Sequence, residues 1–265
     1  MASFPPVNSV VRALDLLEAL NRRPISTVDD LFTDTRIPKP SIVRLLQTLE
    51  RRGLVRPARQ HGAYFLTSQV RALSSGYHSE PRVIEASAQL LDDLTRKVKW
   101  PLAIAIPDSG AMVIRYSTIP LSPLSLHHSS LGMRLSMVSR ALGRAYLAFC
   151  DADEQNALIN VLRKSGQPED AAAHDEETLR AVLKETHARG LATRDPRVRA
   201  VSNTLAVPIY EKSRVVASVG LTFFSSAMEP EMAIEKFRDD LVDLSAGISQ
   251  RLGMLSDEAA SPAFA

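Results

Sequence analysis

Hydrophobic positions recur with two different periods along this chain, and the change of period divides it. Up to about residue 98 the spacing is mainly helical, with one short hairpin. Val10, Ala13, Leu14 and Leu17 fall on one helical face, with Asn8 or Ser9 available as a cap. The stop lies near Asn21 to Pro24, because proline lacks an amide hydrogen and restricts the residue before it. Thr27 and Asp30 stand at capping-box spacing and open a short helix through Leu31 and Phe32. Ile42, Leu45, Leu46 and Leu49 occupy i, i+3, i+4 and i+7, which predicts a third helix. Pro40 fits only its first turn, so this helix starts near Lys39, and Gly53 supplies a left-handed stop. Leu54–Arg56 and Ala63–Leu66 read as short strands around the turn-rich "PARQHG". Three helices and a hairpin predict a winged helix-turn-helix over residues 7–69, the helix-turn-helix itself covering about 27–46.

Residues 70–83 read as a linker helix, with Gly76 and Pro81 marking a break before a longer helix that runs to 98. From Trp100 the period becomes two. "PLAIAIP" and "AMVIRYS" are strands joined by the turn "DSG". "SRALGRAYLAFC" is helical, and 152–189 is helical with a hinge at "SGQPED". "NTLAVPIY" and "RVVASVGLTFF" form a second hairpin, and 229–254 a last helix. The expected class is α+β, with a body over 84–256 built on a mainly antiparallel sheet and a disordered tail at 257–265.

Charge sharpens this division. The 265 residues are 45% hydrophobic and 23% charged, a globular balance with length for two domains. The formal net charge is only +2, but residues 1–75 hold eleven Lys and Arg against six Asp and Glu. A basic first third before a mildly acidic body suggests an anion-binding module attached to a second function. The single cysteine, Cys150, excludes an intramolecular disulfide and reads as core rather than reactive thiol. No apolar run approaches the ~18 residues that span a bilayer, and "MASFPPVNSVVRALD" lacks the features of a signal peptide. The expected setting is cytoplasmic, with no membrane partner.

The third helix carries the sharpest chemistry. Arg36, Lys39, Arg44, Arg51 and Arg52 are opposed there only by Glu50. At ~100° per residue, Arg44, Gln47 and Arg51 share the face opposite the apolar stripe. The DNA major groove accepts one α-helix whose outer face offers donors while its inner face packs on the domain. Arg44 suits a guanine edge and Gln47 an adenine edge, while Lys39 and Ser41 suit phosphates near the helix start. Arg51 extends that face, and Arg59 on the wing would reach the minor groove or the backbone. A solvated basic face on a core helix would look the same in isolation. The three helices, glycine stop and basic-tipped hairpin together favour double-stranded DNA.

"VNSVVRALDLLEAL", "IPKPSIVRLLQTLERRGLV" and "AYFLTSQVRALS" resemble the N-terminal module of IclR-type bacterial transcription regulators. "LGMRL", "ALGRAYLA", "RGLATRD" and "LAVPIYEKSRVVASVGLT" are similar to that family's effector-binding domain, so the resemblance covers nearly the whole chain. "WPLAIAIPDSGAMVIR", "SPLSLHHS" and "LAFCDADE" look most like activators of aromatic-acid catabolism, of the 3-hydroxyphenylpropionate type. The resemblance implies a palindromic operator, a small carboxylic acid effector, self-association as dimer or tetramer, and RNA polymerase as a partner of an activator. Family pocket positions carry over to Ala141 and Leu142 at a helix start, Asp195 in "TRDP", and Thr204 and Thr222 on the late strands. A carboxylate there would take backbone amides and an arginine, for which Arg134 and Arg140 are candidates. Trp100 and His127 are candidates for contact with an aromatic ring. Pro40 departs from a usual serine and Arg140 from a usual threonine.

Other chemistry is poorly supported. His127 and His128 are adjacent, so on a strand they point to opposite sides and do not chelate one metal. No nucleophile elbow, phosphate loop or paired-carboxylate motif occurs, and neither enzyme activity nor a cofactor is expected. Two alternatives stay open: a DNA-binding protein whose body only oligomerises, and an enzyme with an accessory winged helix.

Overall fold

The N-terminal pattern folds into three helices and a small sheet: α1 (Asn8–Arg22), α2 (Val28–Thr35) and α3 (Lys39–Arg51), with β1 (Ser26–Thr27), β2 (Val55–Pro57) and β3 (Ala63–Leu66). The computed structural model describes residues 4–23, 25–58, 62–74, 82–125, 129–198 and 201–260. The chain divides into two units, a smaller one of Met1–Ser79 with Leu126–Ser129 and a larger one of Glu80–Ser125 with Ser130–Ala265.

In the first unit the strands lie in the order β1-β3-β2, all antiparallel. Leu16, Leu20, Leu31, Ile42, Leu46 and Val55 form the fully buried centre. The face expected of α1 is only partly right. Val10 and Leu14 are each 55% exposed, while Leu16, Ala19 and Leu20 are buried and Leu17 packs at the margin. This helix is apolar on more than one side, and the small core meets mainly its C-terminal half, a choice that periodicity alone does not make. Neither Asn8 nor Ser9 caps it; the N-cap is Val7, with no side-chain bond.

The capping box at α2 closes fully. Thr27 Oγ1 accepts from the Asp30 amide at 3.1 Å, and the Asp30 carboxylate accepts from the Thr27 amide at 2.9 Å. The Thr27 bonds also hold the Asp30 carboxyl below the usual carboxylate range. Arg36, in the left-handed region at φ 58°, ends α2, and Pro38 precedes α3. Gly53 at φ 73° then turns the chain into β2 at no steric cost. Ser68–Ser74 form a 3-10 helix rather than an α-helical start to the linker. Of the remainder, 75–81 lies outside the described residues, and Arg82 already opens the next helix.

The larger unit contains α4 (Arg82–Val98), β4 (Leu102–Asp108), β5 (Ala111–Ser117), β6 (Arg134–Leu135), α5 (Ala141–Phe149), α6 (Ala152–Leu162), α7 (Glu176–Arg189), β7 (Ala192–Thr193), β8 (Ser202–Glu211), β9 (Arg214–Phe224) and α8 (Pro230–Ala260). Its six strands form one antiparallel sheet in the order β6-β5-β4-β9-β8-β7. The hairpin turn between β4 and β5 has Ser109 at φ 49° and Gly110 at φ 74°, the twist that suits a two-residue loop. Strand alternation sorts two cores. Leu102, Ile104, Leu205, Val207, Leu221 and Phe223 pack with α4 and α8, whereas Ala105, Ile114 and Ala206 pack with α5. Helix α5 is buried from Ala141 to Ala148, because Leu179 and Leu183 of α7 belong to the same core. It also runs very close to the preceding segment: a Cβ on Gly143 would sit 2.3 Å from the Ser136 carbonyl oxygen.

Helix α8 continues through Ala260, so the first part of the expected disordered tail is helical. Ser256 near its end donates to Glu211 at 2.5 Å and accepts from Arg82 at 3.1 Å, which ties the helix end to other elements. Among the described residues, no helix is long and apolar enough to cross a membrane.

Candidate DNA interface and effector site

The outer face of α3 presents Arg44, Gln47 and Arg51 to solvent, opposite buried Ile42, Leu46 and Leu49. Ser41 is half-buried in the first turn. Lys39 is not simply offered outward: its Nζ lies 2.6 Å from Asp29 of α2 and 5.8 Å from the Phe32 ring centre. Arg23 is likewise held by Asp30 at 3.0 Å and Asp34 at 3.2 Å. The acids of α2 thus answer the charge at this end of the module. At the other end Arg51, Arg52 and Arg56 line a cleft of about 570 Å³ with Gly53, Phe65 and Ser68, and none of the three forms an ion pair among the described residues. No local pattern singles out Arg52 or Arg56 as site residues, although "ERRGLVR" holds all three arginines. A cap residue and a strand residue come together only when β2 folds back along the end of α3. Arg59 lies outside the described residues.

In the larger unit the structure brings together four of the expected effector positions. Thr204 and Thr222 are cross-strand partners on β8 and β9, with their hydroxyls 3.0 Å apart. Ala141 and Leu142 are buried at the start of α5, and Leu142 reaches the same sheet face: a Cβ on Gly220 would meet its Cδ2 at 3.2 Å. Asp195 is buried inside an arginine clamp. Its carboxylate accepts from Arg197 Nη2 at 2.8 Å and Nε at 3.0 Å, and from Arg144 Nη2 at 3.0 Å. The Arg197 bonds, with the charge of Arg144 behind them, hold this carboxyl at about 2. The Asp195 amide donates to the Ser139 carbonyl at 2.9 Å, fixing the loop against the entry to α5. Arg144 is pushed below its ordinary value by burial, against the pull of Asp195, and donates through Nε to the Val138 carbonyl at 2.7 Å. Beside the clamp lies a cavity of about 440 Å³ whose walls include Ser139, Glu169, Asp175 and Arg197.

The remaining candidates lie elsewhere. Arg140 caps α5, but its guanidinium makes a two-pronged contact with Glu169, Nε to Oε2 at 2.8 Å and Nη2 to Oε1. That contact is the main cause that lowers the Glu169 carboxyl. Arg134 is exposed on the edge strand β6, donating to the carbonyls of Asp108 at 2.8 Å and Ser109 at 3.1 Å. It clamps the β4–β5 turn, and two strands separate it from β9. Trp100 is buried with the α4 and α8 core, edge-on to Phe224 at 5.2 Å. It therefore stands on the opposite face of the sheet from Thr204 and Thr222. Its aromatic character read as ligand contact; the pleat makes it core. His127 lies outside the described residues. Arg194, which no local pattern singles out, donates to the Ser202 carbonyl and hydroxyl, each at 3.0 Å, and to the Thr204 hydroxyl. The run "TRDPRVR" held the signal, without saying which arginine turns toward the sheet.

The winged module with a basic recognition helix, and the sheet domain with its clustered arginines and hydroxyls, define a DNA-binding regulator with a separate sensing domain. The IclR helix-turn-helix domain profile matches residues 9–59, and the bacterial transcriptional regulator IclR C-terminal profile matches residues 76–250. The chain belongs to the IclR family of bacterial transcriptional regulators, a family of regulators rather than enzymes. It is 23% identical over 252 residues to the HTH-type transcriptional regulator XynR of Escherichia coli, covering 94% of this chain and 99% of that protein. It is also 23% identical over 219 residues to the Pca regulon regulatory protein of Pseudomonas putida, covering 82% of this chain and 74% of that one. Among solved structures, the Thermotoga maritima IclR shares the fold at a TM-score of 0.66 and 20% identity, over 93% of this chain and 99% of its own. An IclR homologue from Microbacterium hydrocarbonoxydans, complexed with 4-hydroxybenzoate, does so at 0.62 and 19%, over 92% and 98%.

Proposed function

We propose that this regulator switches transcription in response to a small aromatic carboxylic acid and controls genes for the breakdown of such acids. The observation that carries the reading is the convergence of Thr204, Thr222 and the start of α5 beside clustered arginines. That set offers hydroxyls, backbone amides and positive charge to a carboxylate. The homologue complexed with 4-hydroxybenzoate supports the same class of ligand. In the module, Arg44 and Gln47 read base edges, and Ser41 and Arg51 hold phosphates. Lys39 must exchange Asp29 for a phosphate before it contributes.

A single winged helix covers few base pairs, so the working form is a dimer or dimer of dimers on two half-sites ~34–36 Å apart. The exposed Val10 and Leu14 of α1 are apolar positions suited to that pairing. RNA polymerase is the further partner if the protein activates. Coupling requires the acid to bind DNA-competent and incompetent states with affinities differing by ~1–3 kcal/mol. The direct test is calorimetry against hydroxyphenylpropionates, hydroxybenzoates, cinnamates and short keto acids, followed by operator titration with and without the best binder. If none binds tighter than millimolar, the aromatic-acid reading fails and a domain that only oligomerises takes its place.

A further inference from the structure

We infer that Arg51, Arg52 and Arg56 form a phosphate site at the root of the wing, which anchors the DNA backbone beside the base pairs that α3 reads. The inference rests on the DNA contacts assigned to α3 above and extends them to a second surface of the same module.

The three side chains come from different parts of the fold. Arg51 ends α3, Arg52 is its C-cap and Arg56 stands on β2, and all three are exposed. They meet in the cleft of about 570 Å³ whose walls also include Ser68 and Gln69. Glu50, the one carboxylate of α3, is not on those walls. Among the described residues, none of the three guanidinium groups has a hydrogen-bond or ion-pair partner. Gathering three like charges in one cleft is unfavourable until an anion enters, and a phosphate offers oxygens for more than one forked contact.

A helix end can attract cations by itself, through its carbonyls and the negative end of its dipole. That account is insufficient here. The carbonyls of Thr48, Leu49 and Glu50 already accept from the amides of Arg52, Leu54 and Gly53, at 3.2, 3.0 and 2.8 Å. Arg56 belongs to no helix end. The walls are also fixed without a ligand. The Thr67 hydroxyl donates to the Gly53 carbonyl at 2.5 Å, the Thr67 amide donates to the Leu54 carbonyl at 3.0 Å, and Arg56 pairs with Phe65 across the sheet.

The position suits a backbone phosphate. Arg51 belongs both to this cleft and to the outer face of α3 that carries Arg44 and Gln47. About two helical turns, ~10 Å, separate it from Arg44. The major groove is ~12 Å wide, so with Arg44 on a base edge this end of α3 lies at the rim of the groove, where the phosphates run.

The test separates backbone affinity from base reading. Full-length wild type, Arg52→Gln/Arg56→Gln, Arg56→Gln, Arg52→Lys/Arg56→Lys and Arg44→Ala are titrated by fluorescence anisotropy against two duplexes over a series of salt concentrations. One duplex is enriched from a random library by the wild type, and the other is its scrambled sequence. The paired glutamine variant should bind both about tenfold more weakly, with the slope of log affinity on log salt reduced by about one. Arg56→Gln should show the same pattern at smaller size, and it decides the matter if the double variant does not fold. The lysine pair retains the charges without the fork, so its loss should be a few-fold on both duplexes with the slope near that of wild type. A loss confined to the enriched duplex would make these arginines base readers and overturn the inference. So would wild-type affinity and slope on both duplexes, the result expected if the cleft serves a free phosphate. Arg44→Ala should weaken the enriched duplex alone; if it does not, the base-reading assignment falls, while the phosphate site is judged on its own variants.

Discussion

Helices α3 and α5 both carry arginines beside an apolar stripe, and the fold uses them in opposite ways. On α3, Arg44 and Arg51 stand in solvent on the face away from the core. On the turn into α5 and its first turns, the Arg140 and Arg144 side chains are only 16% and 11% exposed, and each closes on a carboxylate from a distant segment. The same residue type is therefore left open to an external anion in one region and spent on the fold in the other. Helical period does not separate these cases. What separates them is whether packing delivers a carboxylate. The contrast recurs within the module, where Asp29 answers Lys39 while Arg51, Arg52 and Arg56 share a cleft lined by no acid among the described residues.

The largest effect should come from breaking the internal use. Arg144→Ala leaves the Asp195 charge buried with one partner fewer, and removing one member of a buried pair costs about 3–5 kcal/mol. Urea unfolding of the full chain should show that loss in the transition of the larger unit; a loss under 1 kcal/mol would place this pair with surface pairs and erase the contrast.

A pH series sharpens the same point. The Asp195 carboxyl is held at about 2 when folded, against ~3.9 in an unfolded chain. A lowered carboxyl stabilises the fold fully above the unfolded value, and that stability is lost as pH falls through the folded one. Between roughly pH 4 and pH 2 the wild type should thus lose about 2 kcal/mol more than Asp195→Asn. Parallel acid limbs for the two proteins would contradict it.

On the open side, Arg44→Ala should lower specific operator affinity by about 1–3 kcal/mol if it reads a base edge. Lys39→Ala should cost less, because in free protein its charge is already answered by Asp29. Footprinting that ranks Lys39 above Arg44 would reverse the assignment of the two ends of α3. The smallest effect concerns the module's own stability. Thr27→Ala removes the cap of α2 and should cost about 1 kcal/mol in its melting, with operator contacts unchanged at saturating protein.

Much of this architecture was legible in the sequence. The stripe of Ile42, Leu46 and Leu49, the Thr27–Asp30 box, the left-handed stop at Gly53 and the Ser109–Gly110 turn all fold as their local patterns indicate. The expected start of α3 at Lys39 also holds. The misses are of another kind. Strands β1, β6 and β7 are two residues long, too short for any period to announce. Two adjacent apolar faces on α1 offered equal claims to the core, and Trp100 took a ligand role by residue type alone.

What the chain determined by itself is what a few neighbouring residues can settle: caps, turns, helical stripes and strand alternation, since each is satisfied by hydrogen bonds or burial within one element. What only the tertiary structure decided is which distant groups meet. Arg144 and Asp195 are 51 positions apart, Arg140 and Glu169 are 29 apart, and Thr204 meets Thr222 only through the register of β8 on β9. A charge or hydroxyl has its role set by the partner that packing brings within about 3 Å, because both desolvation and pairing act at that range. That is why "TRDPRVR" marks a charged loop in the sequence, while the fold alone sets Arg197 to clamp Asp195 and Arg194 to reach Thr204.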